Sequence, residues 1–308
     1  MAEQKKEWQG HVGHILDSLN EFKIIDCEKC QFKHAVPIPT EKELLEFYKS
    51  EFYSIEKPLY IERMEEDADW WNLCYDERYK SFEKFLPSDR RSILDIGSGP
   101  GFFLKRGQER GWTTLGVEPS HKAYDYSTKV LDLNIENGFF NSDMCERLKD
   151  FDVIHMSEVL EHIPNPEGLL ELVYNKLNLG GLLCIAVPND YSPFQTAARQ
   201  TLKYKPWWVG PPQHINYFDF SSLEKILTKY GFTVLLKEST FPIDMFLLMG
   251  ENYIDNDKIG RKCHGMVKEF EKRITETSNK SLKSKLYQKF AELNIGREAI
   301  FYAKKLEK

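Results

Sequence analysis

One stretch limits the folds open to this chain: Arg91-Ser-Ile-Leu-Asp-Ile-Gly-Ser-Gly-Pro-Gly101, running into Phe102-Phe-Leu-Lys105. Ile93, Leu94 and Ile96 form a short apolar run, the pattern of a parallel strand buried on both faces. Gly97, Gly99 and Gly101 let the backbone turn sharply and approach a ligand where a Cβ would clash. Phe102 to Arg110 reads as the helix that comes next, with Gly111 as its stop. Strand, glycine loop and helix N-terminus leave unpaired N–H groups aimed at whatever sits above the loop.

The next strand, Trp112 to Val117, ends in Glu118. An acid in that position can accept two hydrogen bonds from a ribose diol. The loop is Gly-x-Gly-x-Gly, whereas nicotinamide proteins carry Gly-x-Gly-x-x-Gly. With Asp95 before it and Glu118 after the second strand, this segment resembles the cofactor loop of class I S-adenosylmethionine (AdoMet) methyltransferases. The resemblance implies an α/β fold, a Rossmann-like sheet of seven strands with the last one antiparallel. It also implies AdoMet as cofactor, with Asp95, Gly97, Gly99, Gly101 and Glu118 around it.

At 308 residues the chain can bury a sizeable core, with room for one main domain plus appendages. A net charge of −6 offers no global basic field for nucleic acid. The longest apolar run, Leu182 to Val187, is far short of a membrane span, and the N-terminus lacks a signal-peptide core. The expected setting is the cytoplasm, with a small-molecule substrate, no nucleic-acid or membrane partner, and six cysteines reduced unless they hold metal. The sequence does not give the oligomeric state.

Near the N-terminus, His11-x2-His14 precedes Cys27-x2-Cys30. Two pairs of soft ligands around a short hairpin match a tetrahedral structural zinc site, with Phe22 to Ile25 as a strand leading into the second pair. The segment from Gln31 to Tyr48 resembles the one after the zinc ribbon in bacterial sugar methyltransferases. Those proteins usually carry two cysteine pairs; here histidines stand in for the first, and His34 can substitute for one of them. This gives a zinc-ribbon-like element over 1–38. A helical cap comes next over 39–90: Thr40 and Glu43 open a helix to about Lys49, and Met64 to Leu86 reads as one longer helix with a broad aromatic face. In the family, helices before the first strand lie over the cofactor. Tyr75 and Arg78 are the candidates for the AdoMet carboxylate, although an aromatic stripe at helical spacing also reads as plain core.

Residues 91–240 read as the AdoMet-binding core. Ser120 to Lys129 is a helix and Leu133 to Asn137 a third strand; the family places adenine near Gly138 to Asp143, where Asn141 and Asp143 are both open as partners. Phe151 to Met156 is a fourth strand. It runs into Ser157-Glu-Val-Leu-Glu-His162-Ile-Pro, which resembles the post-strand motif of ubiquinone-type O-methyltransferases and their sugar-modifying relatives. Ser157 joins the cofactor residues. Glu158, Glu161 and His162 share a face if this turn is helical, and the matching residues of those relatives hold a divalent cation such as Mg²⁺. Asn165-Pro166 starts the next helix, Gly180-Gly181 stops it, and Leu182 to Val187 is the fifth strand.

Asn189 to Phe218 reads as one irregular stretch, a length that points to function. Ser221 with Glu224 caps a helix, Phe232 to Lys237 is the sixth strand, and 241–308 holds a helical insertion before the last strand, Arg297 to Ala303. In sugar methyltransferases that this region resembles, a histidine of the loop is the base. Here that is His214, preceded by Gln213 where an acid stands in the relatives, with His162 assisting. The expected function is methyl transfer from AdoMet to a small polar metabolite, an activated, nucleotide-linked sugar. Competing readings are an RNA or DNA methyltransferase with a zinc-ribbon reader, a nicotinamide-dependent oxidoreductase, and a protein that binds AdoMet without catalysis.

Overall fold

From residue 92 to 239 strands and helices alternate. The computed structural model describes residues 6–40, 43–44, 58–279 and 281–306. Four strands come first: β1 (Lys6–Trp8), β2 (His11–Leu19), β3 (Phe22–Cys27) and β4 (Lys33–Val36). The strands of the main sheet are β5 (Ser92–Ile96), β6 (Thr113–Glu118), β7 (Ile135–Asn137), β8 (Phe151–Ser157) and β9 (Leu177–Pro188). After the short β10 (Asn216–Tyr217) come β11 (Phe232–Ser239) and β12 (Glu298–Lys305). The seven-stranded sheet runs β11-β12-β9-β8-β5-β6-β7 and is mixed, with the closing strands antiparallel. β5, inside the sheet, pairs in parallel with β6 and β8. Ile93 and Leu94 are wholly buried, as a strand covered on both faces requires. A second sheet, β1-β2-β3-β4-β10, is antiparallel at its β1–β2, β2–β3, β3–β4 and β4–β10 pairings.

By contacts the chain divides into two units, one of residues 1–39, 186–226 and 236–301, the other of 40–185, 227–235 and 302–308. No helix among the described residues is long and apolar enough to cross a membrane.

Four local expectations are corrected. The helix expected over Met64 to Leu86 is two, Tyr60–Glu66 and Ala68–Phe85, broken at Asp67. Gly180 and Gly181 lie inside β9, Gly180 in the left-handed region at φ 70°, because the preceding helix has already ended at Lys176. The stretch from Asn189 to Phe218 is not wholly irregular: Ser192 and Gln195 form a reciprocal capping box that opens a helix at Pro193. The helix Phe220–Lys229 is opened by Asp219 rather than by Ser221: Asp219 Oδ1 accepts from the Ser222 N–H at 2.8 Å, and Ser222 Oγ accepts from the Asp219 N–H at 2.9 Å. The insertion is helical as expected, over Met245–Leu248, Asp257–Glu276 and Leu282–Glu292. Thr40 and Glu43 do bond reciprocally, while most of the helix expected after them lies outside the described residues.

Candidate functional site

Glu118 ends β6 and is 4% exposed. Its Oε2 accepts from the Gly99 N–H and its Oε1 from the Ser120 N–H, each at 2.8 Å. Burial pushes the carboxyl up to about 7; the two N–H groups pull it down, and the negative Asp95 adds to the rise. The loop that delivers Gly99 depends on its neighbours. Gly97 and Gly101 sit at φ 73° and 89°. A Cβ on Gly97 would lie 2.5 Å from Val159 Cγ2, and one on Gly101 2.4 Å from Leu133 Cδ1. An acid is thus clamped against a glycine turn at the carboxyl ends of parallel strands, where α/β sheets bind ligands.

Asp95 has a partner that sequence reasoning missed. Asp95 and His155 are opposite one another across β5 and β8, and Oδ1 lies 2.7 Å from His155 Nδ1. Arg78 Nη1 is 2.8 Å from the other ring nitrogen, Nε2, and 3.5 Å from Ser157 Oγ. A guanidinium only donates, so Nε2 accepts and the ring proton sits on Nδ1, donated to Asp95. Burial holds His155 below the ordinary imidazole range, against the pull of Asp95, so the ring is neutral. One signal for it existed: a histidine inside the apolar run Phe151 to Met156, in register with Asp95. Tyr75 is packed as core, stacked on Trp71 and edge-on to Phe103. Asn141 uses its Oδ1 to cap the helix Ser142–Arg147, accepting from the Met144 N–H at 3.0 Å.

The N-terminal ligands come together with one exchange. His11, Cys27, Cys30 and His34 place one ligand atom each within 4.8 Å of one another. His11 Nδ1 is 3.6 Å from Cys27 Sγ and 3.3 Å from Cys30 Sγ. Nitrogen and sulfur ligands at about 2.0 and 2.3 Å from one tetrahedral zinc stand about 3.5 Å apart. His34 donates Nδ1–H to the Ala35 carbonyl at 3.0 Å, which leaves the Nε2 lone pair as the ligand atom. That Nε2 is buried without a hydrogen-bond partner among the described residues, and burial lowers the ring to about 4, so it is neutral and ready for a metal. His14 is the correction. It lies in β2, where residues three apart point to opposite faces, and it is exposed while His11 faces the cysteines.

The cation that the resemblance offered at Glu158, Glu161 and His162 is not supported. The chain leaves β8 through Glu158 at φ 56°, and only Leu160–His162 makes a single 3₁₀ turn. Glu158 is exposed and Glu161 buried, so the three do not share a helical face. Among the described residues, the His11–Cys27–Cys30–His34 group is the one set of three or more such ligands close enough for a single ion. His162 Nε2 instead stands 3.6 Å from Glu161 Oε1.

His214 comes after the cis Pro211-Pro212 bond, its N–H donating to the Gly210 carbonyl at 3.0 Å. The imidazole stacks on Tyr217, 4.6 Å between centroids and 6° from parallel. Nε2 lies 3.1 Å from Oδ2 of Asp190, a residue with no exposed surface. Sequence reasoning did not single out this acid; it is the second residue past the end of β9.

A family model described as a methyltransferase domain matches residues 71–237. The ubiquinone biosynthesis O-methyltransferase of Caulobacter sp. (strain K31) is 28% identical over 133 residues, 42% of this chain and 53% of that protein. The mitochondrial ubiquinone biosynthesis O-methyltransferase of Rattus norvegicus is 30% identical over 114 residues, 33% of this chain and 32% of that one. The chain thus matches about half the length, or less, of these curated relatives. Among solved structures, the plantazolicin methyltransferase BpumL in complex with S-adenosylhomocysteine aligns with a TM-score of 0.51 at 15% identity, over 86% of this chain and 94% of that one. That likeness is one of fold.

Proposed function

The chain belongs to the methyltransferase domain family, and on that premise we propose that it transfers the methyl group of AdoMet to a small polar acceptor, an activated, nucleotide-linked sugar. The observation that carries the reading is Glu118, held by the Gly99 and Ser120 N–H groups at the mouth of a glycine turn. AdoMet supplies an electrophilic methyl on a positively charged sulfur. Glu118 takes its ribose hydroxyls, the Gly97–Gly101 backbone approaches its methionine portion, and Arg78, beside Ser157, pairs with its carboxylate. Asp95 acts from behind, fixing His155 and through it Arg78. Asn141 lies within the segment expected to hold adenine, and Tyr75 contributes packing. His214 removes the acceptor's proton with His162 assisting, since methyl transfer needs little else once donor and nucleophile are in line. One structural Zn²⁺ on His11, Cys27, Cys30 and His34 ties the N-terminal hairpins together.

A second acceptor is favoured by the names of the curated relatives, an oxygen of the ubiquinone-biosynthesis kind. The test is methyl transfer from isotopically labelled AdoMet to a panel of nucleotide-linked sugars and catechols, with mass spectrometry of small molecules retained through purification. Label on a sugar supports the reading. Label on the catechol alone replaces the acceptor, and AdoMet binding with no transfer to any acceptor makes the protein a binder.

The cofactor assignment predicts a pH dependence. Glu118 accepts hydroxyls best as a carboxylate, and in the free protein it becomes protonated as pH falls through about 7. Below that pH, binding must expel a proton, so the AdoMet dissociation constant rises about tenfold per pH unit, and it flattens above. Calorimetry in two buffers of different ionisation enthalpy at pH 6 reads the proton release directly. Glu118→Ala weakens binding by about 2–3 kcal/mol and abolishes the pH slope; a slope that survives the substitution assigns the titration elsewhere.

A further inference from the structure

Asp190, His214 and Arg297 form a buried polar set within one of the two units. Asp190 shows no exposed surface, and each carboxylate oxygen has its own neighbour: Oδ1 stands 3.1 Å from Arg297 Nη1 and Oδ2 3.1 Å from His214 Nε2. The main chain fixes the acid. The Asp190 N–H donates to the Phe218 carbonyl at 2.9 Å. The preceding Asn189 donates its side-chain amide to the Gly296 and Asn294 carbonyls at 2.9 and 3.1 Å, and its N–H to the Arg297 carbonyl at 2.8 Å. The same backbone clamp therefore sets acid and arginine together. Burial works to raise the Asp190 carboxyl, but His214 and Arg297 outweigh it and hold it below its ordinary value.

We infer that Asp190 is the positioning residue for the proton acceptor His214, and that Arg297 keeps Asp190 ionised for the task. This role rests on the reading of His214 as base. An ionised carboxylate has no proton to give, so at Nε2 it can only receive one. The neutral imidazole then carries its hydrogen on Nε2 and its basic lone pair on Nδ1. Tyr217 reinforces the orientation: its ring lies flat under the imidazole and its hydroxyl donates to the His214 carbonyl at 2.8 Å. The two atoms stand 3.1 Å apart without meeting full hydrogen-bond geometry, and catalytic contacts of this kind commonly tighten in the reacting complex.

The test exploits the difference between a carboxylate and an amide. Asp190→Asn keeps the shape but has one acceptor oxygen for two neighbours. Arg297 is always charged and takes that oxygen, so the amide NH₂ turns to His214 and forces Nε2 to accept. The ring proton moves to Nδ1, and the basic lone pair is lost from that atom. Asp190→Asn, Asp190→Glu and His214→Ala are compared with the wild type in steady-state kinetics. ¹⁵N-imidazole NMR of the unliganded wild type and Asp190→Asn runs alongside.

The expected tautomer of His214 is Nε2–H in the wild type and Nδ1–H in Asp190→Asn. In that variant kcat should fall about a hundredfold with KM within about threefold of the wild type, and Asp190→Glu should recover part of the rate. Nδ1–H in the wild type, or an unchanged kcat in Asp190→Asn while His214→Ala is inactive, overturns the positioning role and leaves the base assignment standing. Full activity in His214→Ala removes the base assignment itself. A rise in KM with kcat intact makes Asp190 a binding or folding residue and likewise overturns it.

Discussion

Protein isolated without chelator is expected to carry close to one zinc ion per chain, His34→Ala to lose it, and His14→Ala to keep it. The reason is strand parity. His11 and His14 stand three residues apart in β2, so only one of them can face Cys27 and Cys30. The fourth position falls to His34 on β4, whose Nδ1–H is committed to Ala35 and whose Nε2 has no hydrogen-bond partner among the described residues. In isolated zinc-finger peptides such an ion contributes roughly 10–16 kcal/mol of folding free energy. Less is expected here, because Phe22, Ile24 and Ala35 also pack against Trp208, Val209 and Tyr217. A loss on the order of 5 kcal/mol in that unit corresponds to a fall in Tm of about 10–20 °C.

The damage has a defined route. Ala35 N–H donates to the Ile215 carbonyl at 2.8 Å, and His34 is paired with Asn216 across β4 and β10. Hydrogen exchange should therefore accelerate in residues 11–36 and also at 215–217, beside His214. Elemental analysis of the two histidine variants decides the ligand set. Retention of zinc by His34→Ala, or its loss from His14→Ala, would restore the spacing-based assignment.

Why one histidine was misassigned bears on the rest of the molecule. A spacing of two intervening residues suits ligands on a turn, as at Cys27 and Cys30, but His11 already lies in an extended strand. The glycine loop was legible because its residues answer a backbone demand: no residue with a Cβ fits at Gly97 or Gly101. Glu118 was legible because its place at the end of β6 comes from the strand pattern. His155 was hidden by depending on a partner, Asp95, sixty residues away in sequence, which only sheet register brings opposite. Asp190 was hidden in the same way, its role resting on Arg297 at the far end of a helical insertion. Glu158, Glu161 and His162 failed as a set because their shared face assumed a helix, and the chain takes a left-handed step at Glu158. Short-range chemistry could be read from the sequence; chemistry that needs two distant segments could not.

The other large effect is on the chemical step. In single-turnover methyl transfer, His214→Ala is expected to lose about 10²–10⁴ in rate, the usual range for a positioned general base. The ring it removes is partly enclosed, stacked on Tyr217 and set against Asp190, where water replaces it poorly as a proton acceptor. His162→Ala should lose much less: His162 lies on the 3₁₀ turn after β8, beside the buried Glu161, and orienting that turn is a smaller contribution than taking the proton. Added Mg²⁺ should leave all three rates unchanged, because Glu158, Glu161 and His162 do not converge on one ion. AdoMet affinity, measured in parallel, should be the same in wild type and His214→Ala, which separates lost chemistry from lost cofactor. A His214→Ala enzyme at wild-type rate would return the proton acceptor to the sequence around His162, and a histidine stacked on Tyr217 would then be there for packing alone.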